Sequence, residues 1–236
     1  MTLLQIDPAR LATVLIFYPV MAIIFVIIAI RILKRNRKRL NLTFSGFYFT
    51  VALGVAFNLT YALLRNELIV LTLHYFATFF VGFSLIFLLI TNRLLLQSGT
   101  VYSLRQQFNQ TIIYAIFLAG LFVFLPFGGV IINSSTEWRP EWNLFFYLYV
   151  TAIQTGFTVI PIIFTSFKIF FKMEQKQIRR RWMYFILGIF GLLLSMYLTF
   201  LSNFLNNDLF RLISTLYAIT IVLWAFLIYI GIGKQL

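Results

Sequence analysis

The chain has no cysteine among its 236 residues, a single histidine and only six acidic side chains. Each shortage removes a class of chemistry. Without thiols there is no disulfide framework, no thiolate nucleophile and no sulfur-ligated metal. One histidine with scattered carboxylates cannot supply the three or four ligands of a zinc centre. No serine carries a neighbouring general base that would mark it as a nucleophile. The expectation is therefore a protein that is not an enzyme, with no metal and no cofactor. Charge of either sign is scarce as well, at 11% of residues, while 61% are hydrophobic and the mean hydropathy is +0.95. A core of this size cannot bury so much apolar surface away from water, so the bilayer must be the solvent for most side chains.

What charge there is falls at intervals and rules the chain into segments. Runs of 20, 25, 25, 31, 26, 26 and 22 uncharged residues separate Arg10 from Arg31, Arg39 from Arg65, Glu67 from Arg93, Arg105 from Glu137, Glu141 from Lys168, Arg181 from Asp208 and Arg211 from Lys234. About 20 apolar residues in helical form cross ~30 Å of hydrocarbon, so every run is long enough. Strands of a membrane barrel would be shorter and would alternate in polarity, and helices satisfy their own backbone in lipid. The expected fold is all-α: a single seven-helix transmembrane bundle without a soluble domain, with helices near 11–33, 43–64, 68–92, 110–132, 143–169, 182–205 and 210–232.

Orientation follows from lysine and arginine in the loops. With the amino terminus outside and the carboxyl terminus in the cytoplasm, 15 of 19 basic residues fall inside, including the Lys34–Arg39 and Lys172–Arg181 clusters, and only Arg10, Arg65, Arg139 and Arg211 fall outside. Five of the six acids (Asp7, Glu67, Glu137, Glu141 and Asp208) fall outside with them. The net charge of +13 is thus a topology signal, and no nucleic-acid partner is expected. The first run lacks a basic leader and is followed by a stop-transfer block, so it reads as a retained helix in a multi-pass protein of the cell membrane. The expected partners are the lipid bilayer, anionic headgroups at the basic loops, and a separate cytoplasmic or membrane signalling partner. Trp138, Trp142, Tyr147 and Tyr149 fit an outer aromatic belt, and Trp182 and Tyr184 an inner one.

No charged side chain lies deep in any run, which disfavours proton pumps, ion-coupled carriers and voltage sensors. Uncharged polar residues do recur at helical spacing. Thr151, Gln154, Thr155 and Thr158 share one face of the fifth helix, and Ser195, Thr199, Ser202, Asn203 and Asn206 share one face of the sixth. Asn58 and Tyr61 lie on the second helix, and His74 and Thr78 stand one turn apart on the third. Most of these groups fall between the outer surface and mid-depth. Converging polar faces there predict a ligand pocket that opens outward, walled by Asn58, Tyr61, His74, Gln154, Thr158, Thr199 and Asn203. Interhelical hydrogen bonding, at ~0.6 kcal/mol per contact, is the alternative use of such residues. Pro126 with Gly128 and Gly129 should distort the fourth helix near its outer end, and Pro161 should kink the fifth.

Several seven-helix designs do not fit. A retinal Schiff base requires a lysine midway along the seventh helix, and Lys234 stands at its cytoplasmic end. Rhodopsin-like receptors close their third helix with an acidic-Arg-Tyr triplet, where this chain has Thr91-Asn92-Arg93, and their seventh helix has a proline that is missing here. Seven-helix sugar transporters use a Pro-Gln motif and four membrane prolines, of which only Pro19 and Pro161 have counterparts. In architecture alone the chain is similar to the seven-helix sensor regions that precede bacterial histidine kinases. The reading favoured by the residues is a non-enzymatic, receptor-like or sensor protein. The alternatives are a facilitator or transporter of a neutral solute and a structural subunit of a membrane complex.

Overall fold

The computed structural model describes residues 13–35, 37–97 and 101–233. Asp7, Arg10, Lys234 and the first two residues of the first run lie outside them. Six helices are each long and apolar enough to cross a membrane: α1 Leu15–Arg35, α2 Arg39–Leu63, α3 Glu67–Leu96, α4 Leu104–Phe124, α5 Leu144–Lys172 and α6 Lys176–Leu205. The seventh run forms two helices, α7 Asp208–Ala218 and α8 Ile221–Ile232, bent by 41° where they meet.

At the starts of α3, α4, α5 and α7 polar side chains satisfy the first free N–H groups. The Asn66 side chain accepts from Ile69 N–H, Asn143 from Phe146, and Asn207 from Leu209 and Phe210. Ser103 and Gln106 form a reciprocal capping box at the start of α4. Asn206 closes α6 in the left-handed conformation, φ 49°, which asparagine tolerates better than most residues.

Three local features depart from the sequence expectation. The fourth helix does not reach Ile132. It tightens into 3₁₀ turns over Gly120–Phe124 and ends, because Pro126 has no N–H to donate and Gly128 turns the chain at φ 65°. Val130–Ile131 then pairs antiparallel with Glu141–Trp142 in a two-stranded hairpin. The fifth helix widens before its proline, with a π-helical stretch over Thr155–Val159 in which Ile160 N–H reaches Thr155 O. The break between α7 and α8 involves neither proline nor glycine. There Thr220 N–H and its hydroxyl both donate to Tyr217 O, at 2.9 and 2.6 Å, closing a tight turn.

The bundle packs through aromatic and small residues. Phe25 of α1 meets Tyr48 of α2 at 5.7 Å between ring centroids, and Tyr48 Oη donates to Ala225 O of α8 at 2.9 Å. Trp224 of α8 lies so close to α6 that a Cβ on Gly191 would come within 2.1 Å of its ring. The outer surface is apolar, with Ile116, Phe127 and Phe171 each at least 66% exposed. Lipid is the solvent that accommodates such a surface.

Charges collect at the two ends. At one end Arg39 donates to Tyr102 O at 2.9 Å and to Gln107 Oε1 at 3.1 Å, tying the α1–α2 connection to the α3–α4 connection. Lys172 and Lys176 flank the next connection at this basic end. At the other end Arg139 lies 3.6 Å from Asp208, Arg211 lies 4.0 Å from Glu141, and the Arg65 guanidinium sits 5.4 Å over the Trp138 ring. These groups form a mixed, acid-bearing end.

Candidate functional site

The helices α3 and α5 run in the same direction, and polar side chains join them at three levels. At the acid-bearing end the hairpin holds Trp142 over α3, where its Nε1 donates to His74 Nε2 at 3.0 Å. His74 also meets the edge of Tyr61 from α2, at 5.4 Å between ring centroids. With Nε2 accepting, neutral His74 carries its proton on Nδ1. That atom is buried and has no hydrogen-bond partner among the described residues.

At mid-depth Gln154 of α5 packs against Gly82 of α3. A Cβ on Gly82 would stand 2.6 Å from Gln154 Nε2, so the missing side chain makes the room that the amide occupies. Gln154 is fully buried, yet neither its Oε1 nor its Nε2 has a hydrogen-bond partner among the described residues. The Thr151 hydroxyl one turn away is in the same state. Tyr114 of α4 closes this level from the side, donating to Gly82 O at 2.9 Å. Thr158 is fully buried and donates to Gln154 O at 2.8 Å, while Thr155 Oγ1 lies 2.5 Å from Tyr197 Oη of α6.

Toward the basic end the third level is Asn92 of α3. Its Nδ2 reaches Ser166 Oγ at 2.8 Å, Thr165 Oγ1 at 3.2 Å and Ile162 O at 3.3 Å, all on α5. Trp182 Nε1 donates to Ser166 O at 2.8 Å, which connects this level to the first turns of α6. The three levels together form a polar seam along the α3–α5 contact.

The seven residues expected to wall a pocket divide between this seam and other places. Tyr61 and His74 meet at its first level, and Gln154 and Thr158 stand together at its second. Asn58 is half-buried on α2, one turn before Tyr61. Thr199 is exposed; it donates to Ser195 O at 2.9 Å and approaches Ser214 Oγ of α7 at 3.4 Å. Asn203 is half-buried on α6. From α6 it is Phe200 that reaches the first level, 5.1 Å from the Trp142 ring.

Two tryptophans carry more of the seam than the sequence indicates. Trp142 and Trp182 are 5% and 3% exposed, and each ring nitrogen bonds an interior acceptor, so neither is a belt anchor. The signal that could have found Trp142 is its position in sequence just before the polar stripe of α5. Among the described residues no three His, Asp or Glu side chains stand together as a metal site. A cavity of about 530 Å³ opens elsewhere, beside Arg93 and Tyr102 at the basic end, and none of the seven residues lines it.

In comparisons with known proteins, no family model, no curated protein and no solved structure matches the chain. Function is therefore read from the seam.

Proposed function

We propose that the chain is a receptor-like protein of seven spans in the cell membrane, amino terminus outside, which binds a small neutral polar molecule at the seam between α3 and α5. The observation that carries this reading is Gln154, a whole carboxamide buried at mid-depth without a hydrogen-bond partner among the described residues. A buried polar group left unpaired costs ~1–3 kcal/mol, a cost that a binding protein recovers when a ligand completes the hydrogen bonds. His74 Nδ1 as donor, Gln154 as donor and acceptor, and the Thr151 hydroxyl offer a few placed polar groups in an aromatic lining, the usual make-up of a small-ligand site.

Coupling to the cytoplasm follows the same contact. A ligand that changes the spacing of α3 and α5 at Gln154 acts on Asn92 and Ser166 further along, and through Trp182 on the basic start of α6. That segment is the surface on which a separate signalling partner would read the change. The reading is non-enzymatic, in keeping with a chain that has no cysteine and a single histidine.

Thermal unfolding of the purified protein against a panel of polyols, amides and sugars tests the proposal. A ligand at one hundred times its Kd adds about 2.7 kcal/mol to the wild type. Gln154→Leu is expected to be more stable than wild type without ligand and to show no such gain. Equal gains in both proteins, or none in either across the panel, would remove Gln154 from a binding role. A second reading, a facilitator of a neutral solute, is favoured by one observation: polar groups line the seam from His74 to Ser166, most of the length of both helices.

A further inference from the structure

The 530 Å³ cavity at the basic end is built differently from the seam. One wall is the end of α3 and the other is the start of α4, which runs in the opposite direction. At its mouth stand Arg93 of α3, Gln97 just past its end, and Gln106, Asn109 and Gln110 of α4. Seven residues back along α3 the lining is Ile86, and seven residues on from Gln106 along α4 it is Ile113. Each interval is about 10 Å of helix. Tyr114 and Phe157 line the same apolar part. Both walls therefore change from polar to apolar over the same distance, in the direction from the headgroup level into the hydrocarbon.

The charge of the mouth has one sign. Among the described residues no acidic side chain lines the cavity, and Arg93 is held in place there. Its Nη1 donates to Gln110 Oε1 at 2.9 Å, Tyr102 Oη donates to the same oxygen at 2.6 Å, and the guanidinium lies 5.9 Å over the Tyr102 ring. Arg39 fixes the loop from behind through Tyr102 O. Ile113 and Phe157 are exposed on the outer surface, so the apolar part of the cavity opens sideways toward lipid.

We infer that this cavity is a binding site for one anionic phospholipid of the leaflet at the basic end. The phosphate lies at Arg93 among the carboxamides, and the upper part of an acyl chain lies along Ile86, Ile113 and Phe157. A free phosphate ion would use the mouth and leave the apolar half without a role. The site does not depend on the seam being a receptor site, and it is separate from the general attraction of the Lys172–Arg181 cluster for anionic lipid.

Native mass spectrometry of the full chain, released from detergent supplemented with phosphatidylglycerol, phosphatidylcholine or inorganic phosphate, tests the inference. Wild type is expected to retain one phosphatidylglycerol in preference to phosphatidylcholine. Arg93→Gln should lower that retention about fivefold, the effect of one basic group beside an anionic lipid surface. Ile113→Trp, which fills the apolar half at an exposed position and leaves every charge intact, should lower it as well. Arg180→Gln, at the neighbouring basic cluster, should not. Displacement of the lipid by millimolar phosphate, equal losses in Arg93→Gln and Arg180→Gln, or full retention in Ile113→Trp would each overturn the assignment.

Discussion

At the scale of single residues, the fold buries polar atoms, Gln154 Oε1 and Nε2 foremost, that have no hydrogen-bond partner among the described residues. A side chain kept for packing alone would be better apolar, because an amide in an apolar environment without partners costs free energy. Gln154→Leu keeps the volume and removes the unpaired atoms, so chemical denaturation should show it more stable than wild type by ~1–3 kcal/mol. Gly82→Ala is expected to act in the opposite direction. Its Cβ would stand 2.6 Å from Gln154 Nε2 and must push the amide aside, a form of overpacking that costs ~1–3 kcal/mol. A Gly82→Ala protein as stable as wild type would mean that the amide has room to move and is not held by α3. The sequence made part of this visible. Gln154 and Thr158 stand out because they share a helical face in an apolar run. Trp142 does not stand out, because a tryptophan near a run's end reads as a headgroup anchor, and only the hairpin reveals that its ring turns inward to His74.

At the scale of elements, the departures from expectation have local physical causes. Charged residues delimit a run, but they do not say where within a long run the helix stops. The run before Glu137 holds Pro126 and Gly128 inside an apolar stretch, and the chain uses them to end α4 and start a strand. The α7–α8 break is less legible still, since it depends on Thr220 bonding to Tyr217 and on Trp224 fitting over Gly191. Helical spacing put Thr199 and Asn203 on one face of α6, but spacing does not identify the helix opposite. Thr199 approaches Ser214 of α7, while Phe200 reaches the seam. The α3–α5 contact makes an element-scale prediction. Asn92→Leu removes the contacts of Nδ2, whose two N–H groups are shared among three acceptors on α5. It also removes an Oδ1 that has no partner among the described residues, and puts larger methyl groups in their place. Denaturation should show a loss of about 1 kcal/mol, since intramembrane hydrogen bonds are individually modest. No loss would mean that Asn92 does not hold the two helices together.

At the scale of the whole molecule, the asymmetry of charge orders everything else. The basic connections at one end and the acid-bearing hairpin at the other follow from the loop composition that the sequence displays openly. Cysteines introduced singly at Ser135 and Gln175, in a chain that has none of its own, should label from opposite faces of intact cells, Ser135 from outside. Labelling of Gln175 from outside would invert the orientation and place the hairpin in the cytoplasm. The two functional readings also separate at this scale, because a receptor holds its ligand on one side and a facilitator lets it through. At its middle level the Gln154 amide fills the room that Gly82 leaves, which closes the seam there and favours binding without passage. The most direct measurement is solute flux into proteoliposomes containing the purified protein, followed by light scattering with glycerol, urea and a neutral sugar. The account predicts flux no faster than in protein-free liposomes for wild type and Gln154→Leu alike. Rapid flux in wild type that Gln154→Leu abolishes would contradict it and make the chain a facilitator.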